Sequence, residues 1–239
     1  MIASSDPVTA GVIRTAGKDG FDKGAQHFLT RYILERLLRE RFPEADPLCF
    51  PREDPVPEEK AYLPAAAGDA VYRDAVRLGP VRVDKDPLGK PFALFLPGTD
   101  ISLTHCRYAA AAAAGSGPCG IDAERRFGWN LKLAGRILHP AERSMLEKAS
   151  LSEREMGDFL GKIWSRKEAY VKCLGTGLAS DFRSFCVLGK DTGILKRQTC
   201  GEEVWIGGGK WFFTEQQDEL ITLCICSCQK HIRIHTIML

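Results

Sequence analysis

Tyr108-Ala109-Ala110-Ala111-Ala112-Ala113-Ala114, closed by Gly115, Gly117 and Pro118, is the stretch on which the fold reading turns. Alanine propensity alone makes it a helix. Its short length and the breakers around it suit a buried strand pressed against a close neighbour, and it is assigned as one. Upstream, Ile101 to Thr104 reads as another strand. Downstream, Gly120 to Glu124 reads as a third.

Helical periodicity brackets these strands. From Gly24 to Phe42, apolar Phe28, Ile33, Leu34, Leu37, Leu38 and Phe42 recur at three- and four-residue steps, arginines fill the polar positions, and Pro43 ends the run. Residues 43–69 are rich in proline and acidic side chains and read as irregular. Asp86-Pro87 and Leu88-Gly89 mark turns. Leu131 to Leu138 and Pro140 to Lys148 read as helices, and Glu153 to Lys172 is the longest helical pattern, punctuated by Gly175 and Gly177. Phe182 to Leu188, Val204 to Ile206, Lys210 to Thr214 and Leu220 to Ser227 read as strands between glycine-rich turns. Helices mixed with largely antiparallel strands give an α+β class.

Composition narrows the function. The 239 residues carry 33 Lys plus Arg against 31 Asp plus Glu, a net charge of +2, which predicts no general attraction to nucleic acid. No run approaches the ~18 apolar residues of a membrane helix, and the first twenty residues lack the apolar core of a secretory signal. A soluble, cytoplasmic protein is expected. The nine cysteines show no recurring zinc spacing and read as small buried thiols of a reducing compartment; Cys224, Cys226 and Cys228 alternate on one strand face.

Two patterns carry chemistry. In Gly120-Ile121-Asp122-Ala123-Glu124 the two acids, two residues apart on a strand, project together, and a bound cation would relieve their repulsion. Hard carboxylate oxygens suit Mg²⁺, which takes its remaining ligands from water and phosphate. Taken alone, the same spacing also describes a solvated strand face. In Trp164-Ser165-Arg166-Lys167-Glu168-Ala169-Tyr170-Val171-Lys172, positions 164, 168 and 172 share one helix stripe, with Glu168 and Lys172 spaced as an ordinary helix ion pair.

Together the two patterns resemble the signatures G-[IV]-D-x-E and W-[ST]-x-K-E-[AS]-x-x-K of phosphopantetheinyl transferases of the larger, Sfp-type class. Leu88-Gly89-Lys90-Pro91, Ile101-Ser102-Leu103-Thr104-His105 and Cys173-Leu174-Gly175-Thr176-Gly177-Leu178 resemble further family segments in the same order. Ala123 stands where the family usually has Ile or Val, and Thr104 where it has Ser. The resemblance implies two similar lobes forming a pseudo-dimer, each a small antiparallel sheet packed on a long helix, with residues 1–118 as the N-terminal lobe and 119–239 as the C-terminal lobe carrying the metal and catalytic motifs. It implies a monomer that moves 4'-phosphopantetheine from coenzyme A to a serine of an acyl or peptidyl carrier protein and releases 3',5'-ADP. It implies Asp122, Glu124 and Glu168 as magnesium ligands, Glu168 and Lys172 as catalytic groups, and Lys90, Thr104 and His105 as coenzyme A contacts. Arg14, Lys18 or Lys23 would serve the 3'-phosphate, and Arg125, Arg126, Phe127 and Trp129 would either meet the carrier protein or form a solvated turn. The rival readings are a metal-dependent phosphohydrolase acting on coenzyme A or a related nucleotide, a non-catalytic coenzyme A or carrier-protein binding module, and an iron or zinc protein built on the cysteines.

Overall fold

The computed structural model describes residues 7–15, 20–43, 82–94, 96–177, 180–189 and 196–238. Most of the proline-rich 43–69 segment, and Lys18, lie outside them. Among the described residues ten strands form two sheets. The first contains β1 (Val8–Arg14), β2 (Val83–Lys85), β3 (Pro91–Ala93), β4 (Asp100–Cys106), β5 (Ala109–Gly115) and β10 (Ile232–Met238), in the order β10-β1-β5-β4-β3-β2. The second contains β6 (Cys119–Arg125), β7 (Gln198–Ile206), β8 (Gly209–Gln217) and β9 (Ile221–Ser227), in the order β6-β9-β8-β7. The class is α+β. The first sheet is not wholly antiparallel, because β10 runs parallel to β1, with Val8 opposite Ile232 and Arg14 opposite Met238. The break at Pro118 thus separates the strands of the two sheets except for β10, which returns to the first.

The alanine run is strand β5, and its six side chains are at most 1% exposed. Ala110, Ala112 and Ala114 face α1 (Lys23–Arg41) in one core, while Ala109, Ala111 and Ala113 meet Ile121, Ala123, Leu223 and Ile225 of the second sheet in another. Small side chains on both faces let the layers approach closely, which outweighs alanine's helical preference. The order of layers is α1, first sheet, second sheet, and α4 (Glu153–Leu174). Asp22 caps α1, its Oδ1 accepting from Ala25 N at 2.8 Å. Ser152 and Glu155 form a capping box on α4, and Gly175, at φ 72°, ends it in the left-handed conformation. The two short helices α2 (Leu131–Ile137) and α3 (Pro140–Lys148) lie between β6 and α4 in sequence.

One expected strand is absent. Phe182–Ser184 is a 3-10 turn and residues 185–188 are irregular. The buried Lys167 takes the backbone carbonyls of Phe182 and Phe185, and Glu142 Oε1 accepts from Val187 N at 2.9 Å. With its backbone groups satisfied by side chains, the segment has no need of a strand partner. Strands β1 and β10, by contrast, are absent from the sequence reading, although each is seven residues long. Cys224 and Cys226 point into the core under α4, but Cys228 lies past the end of β9 and is exposed. The cysteines among the described residues are free thiols, and burial pushes those of Cys119, Cys224 and Cys226 well up, so they pack as neutral groups. No helix among the described residues is long and apolar enough to cross a membrane.

Candidate active site

Strand β6 is an edge strand of the second sheet, and β4 holds it by side chains rather than by a backbone ladder. Cys119 N donates to Asp100 Oδ2 at 2.7 Å, Ile121 N to Ser102 Oγ at 3.1 Å and Ala123 N to Thr104 Oγ1 at 3.2 Å. The alternation leaves the side chains of Asp122 and Glu124 directed away from the inter-sheet core. On the other side, α4 lies so close to β6 that a Cβ at Gly120 would collide with the carbonyl oxygen of Ala169 and sit 2.5 Å from Cys173 N. The glycine of the first motif therefore admits the helix of the second.

This docking puts both motifs on one cavity of about 950 Å³ at the seam of the two sheets. Asp122 and Glu124 line it from β6, and Trp164, Glu168 and Lys172 from α4. His27 and Arg31 enter from α1, Lys85 from β2, and Thr104 and His105 from β4. One wall carries the three carboxylates; the other carries most of the basic groups, with Asp84 beside Lys85 among them.

The acidic wall is electrostatically strained. Burial, then the neighbouring Asp122, pushes the Glu168 carboxyl up to about 7 against the opposing pull of Lys172. Burial, then Asp122, also raises Glu124, while the Trp164 indole and Lys172 oppose. Lys172 does not pair with Glu168 one turn away. Its Nζ lies 2.7 Å from Asp122 Oδ1 and also donates to Ile121 O at 3.2 Å and to Thr104 Oγ1 at 3.4 Å. Asp122 is 3% exposed and its Oδ2 is buried without a hydrogen-bond partner among the described residues. That orphaned oxygen, on the carboxylate that raises both Glu124 and Glu168, fits a divalent cation. Among the described residues no three ligating side chains close around a common point, so substrate oxygens or water would complete any coordination.

The basic wall differs from the sequence expectation. His105 lines the cavity, its Nδ1 3.1 Å from Gln26 Oε1 and its ring 4.6 Å from that of His27. Burial, then His27 and Lys172, lowers its pKa. Thr104 lines the cavity too, but its hydroxyl is engaged by β6 and Lys172. Lys90 does not reach the cavity: its Nζ sits 2.6 Å from Asp100 Oδ2 and 2.8 Å from Cys173 O, tying the β2–β3 turn to the end of α4. Arg14 is paired with Asp218 at 2.6 Å, and Lys23 is not among the lining residues. In their place stand His27, Arg31 and Lys85. His27 and Arg31 are four apart on α1, the one spacing that pointed to a shared face. Of Arg125, Arg126, Phe127 and Trp129, expected at a protein partner, Arg125 ends β6 and is exposed. Arg126 is held by Asp158 and Glu219, while Phe127 and Trp129 pack on the core beneath α4.

Both motifs fall in the part of the chain that resembles a known family. Residues 118–224 match the family model of the 4'-phosphopantetheinyl transferase superfamily, a span that includes β6 and α4 whole. Among individual proteins, the chain is similar to a 4'-phosphopantetheinyl transferase of Bacillus subtilis, 32% identical over 44% of this chain and 46% of that protein. The 4'-phosphopantetheinyl transferase Sfp of Bacillus subtilis strain 168 is 31% identical over 45% and 47%. That called gsp, from Aneurinibacillus migulanus, is 27% identical over 60% and 56%. The chain thus spans about half the length of the curated relatives it matches. The resemblance carried by the two motifs is borne out.

Proposed function

We propose that this protein transfers the 4'-phosphopantetheine arm of coenzyme A to a serine of an apo acyl or peptidyl carrier protein, releasing 3',5'-ADP. The observation that carries the reading is the two-sided cavity, with Asp122, Glu124 and Glu168 facing His27, Arg31, Lys85 and His105. A pyrophosphate ester with an additional phosphate has the charge to span such a cleft, and the volume of about 950 Å³ suits a cofactor-sized ligand.

Asp122, Glu124 and Glu168 would hold magnesium, which supplies charge neutralisation to the pyrophosphate. The chain's own groups do the rest. His105, His27 and Arg31 bind the outlying phosphate; an anion there reverses the depression of the His105 pKa and draws a proton onto the ring. Glu168, directed into the cavity from α4, takes the proton of the serine hydroxyl. The serine oxygen forms its bond to the β-phosphorus as the bond from that phosphorus to the bridging oxygen breaks. Lys172, beside Asp122, stabilises the charge left on the 3',5'-ADP oxygen. We extend the reading, on the resemblance alone, to a magnesium-dependent monomer of the cytoplasm.

The test is mass spectrometry of apo carrier proteins incubated with the protein, coenzyme A and magnesium. One serine should gain one phosphopantetheine mass, and Asp122→Asn should slow the gain by about 100-fold or more. Release of 3',5'-ADP without a modified carrier protein would instead mark a hydrolase.

A further inference from the structure

Glu124 occupies the penultimate position of β6, followed by the exposed Arg125. A carboxylate there, on a flexible stem at the rim of a cavity, has several rotamers open to it. Its two neighbours are fixed differently: Asp122 by Lys172, and Glu168 by its place on a packed helix. For Glu124 the fixing contact is the indole of Trp164, whose Nε1 donates to Glu124 Oε1 at 3.3 Å.

Trp164 is itself held. It stands one turn before Glu168 on α4, and its ring packs against Phe182 with centroids 5.7 Å apart. Behind Phe182 is Lys167, wholly buried, which takes the Phe182 carbonyl, donates to Ile137 O and Phe185 O at 2.8 Å each, and pairs with Glu142 at 2.9 Å. The 3-10 turn is thus stapled to the ends of α2 and α3, and the indole leans on the stapled turn.

We propose that Trp164 is the positioning residue for Glu124. The inference rests on the reading of Asp122, Glu124 and Glu168 as a cation site. An indole N–H only donates, so it engages one carboxylate oxygen and leaves the other aimed into the cavity. Donors of this kind, one step behind a metal ligand, alter metal affinity by roughly 10–100-fold when removed.

Trp164→Phe removes the N–H and keeps a packed ring. Benzothienylalanine installed at position 164 by amber suppression, with sulfur in place of N–H, removes the donor at equal size and serves if the phenylalanine variant melts early. Manganese(II) alone is titrated into substrate-free protein and the free ion is read by electron paramagnetic resonance. Wild type should bind one ion, with binding lost in Asp122→Asn. Either replacement at 164 should weaken binding about tenfold. In a Glu124→Gln background the same replacement should change nothing further, because the carboxylate it positions is gone. In turnover, the magnesium requirement should rise more than the KM for coenzyme A. Wild-type manganese affinity in both replacements, or an undiminished loss in the Glu124→Gln background, overturns the positioning role while leaving the cation site standing. Manganese binding that ignores Asp122→Asn overturns the cation site and this inference with it.

Discussion

Glu168 illustrates how a single side chain ties stability to chemistry. In the unfolded chain it releases its proton near the ordinary value of 4.5, whereas in the fold it keeps the proton up to about 7. Between those values the folded state binds more protons than the unfolded one, so stability falls as pH rises, and the full cost of the buried charge is felt above 7. In chelator-treated protein, Glu168→Gln should therefore raise stability at pH 8 by roughly 1–2 kcal/mol, after discounting for solvent screening, and have no effect at pH 4. Chemical denaturation at the two pH values checks this, and added magnesium should shrink the gain at pH 8. The acidic half of the site was legible in the chain because its members are two apart on a strand or four apart on a helix. Spacing along the sequence does not encode the docking of α4 on β6, the docking that pairs Lys172 with Asp122 instead of Glu168. Nor does it separate Lys90, spent on Asp100 and a carbonyl, from Lys85, which faces the cavity.

Among the elements, α4 divides its labour by face. Trp164, Glu168 and Lys172 look into the cavity, while Lys162 and Arg166 reach the other way into buried acids of the second sheet. Arg166 lies 2.6 Å from Glu215 Oε2 and 2.5 Å from Glu202 Oε2, and Lys162 is 3.0 Å from Glu215. Burial alone would raise the Glu215 carboxyl; Arg166, then Lys162, outweigh it and hold the group below the usual range. A depressed carboxyl stabilises the fold above its unfolded value and loses that contribution as pH falls toward its folded value. The acid limb of the stability profile should therefore begin below about pH 5. Glu215→Gln should flatten that limb and cost about 3–5 kcal/mol at pH 7, where it leaves Arg166 undercompensated. Urea midpoints across pH 3–8 read both effects. The sequence showed α4 as a helix because its periodicity and its closing Gly175 are local signals; the Ser152 cap is a finding of the structure. The Phe182 to Leu188 segment misled for the opposite reason: its apolar residues are real, but three buried side chains, Glu142, Arg166 and Lys167, claim its backbone.

At the scale of the whole molecule, each sheet carries one long helix and the cavity lies where the two assemblies meet. The join is maintained by the alanines of β5, the side-chain acceptors of β4 and the late strand β10, which completes the first sheet beside β1. Deleting residues from 230 onward should leave the second sheet and the cavity residues intact yet expose the flank of β1, a bare row of backbone donors and acceptors. Such a protein should self-associate and melt earlier, as light scattering and a thermal scan would register. In a cell the same arrangement sets an order of events. As the polypeptide leaves the ribosome, β1 emerges well before β10, the partner for its open side, with every other strand between them. Throughout that interval the open side is available to another nascent copy, so how fast β10 follows decides whether the edge is sealed from within or captured from outside.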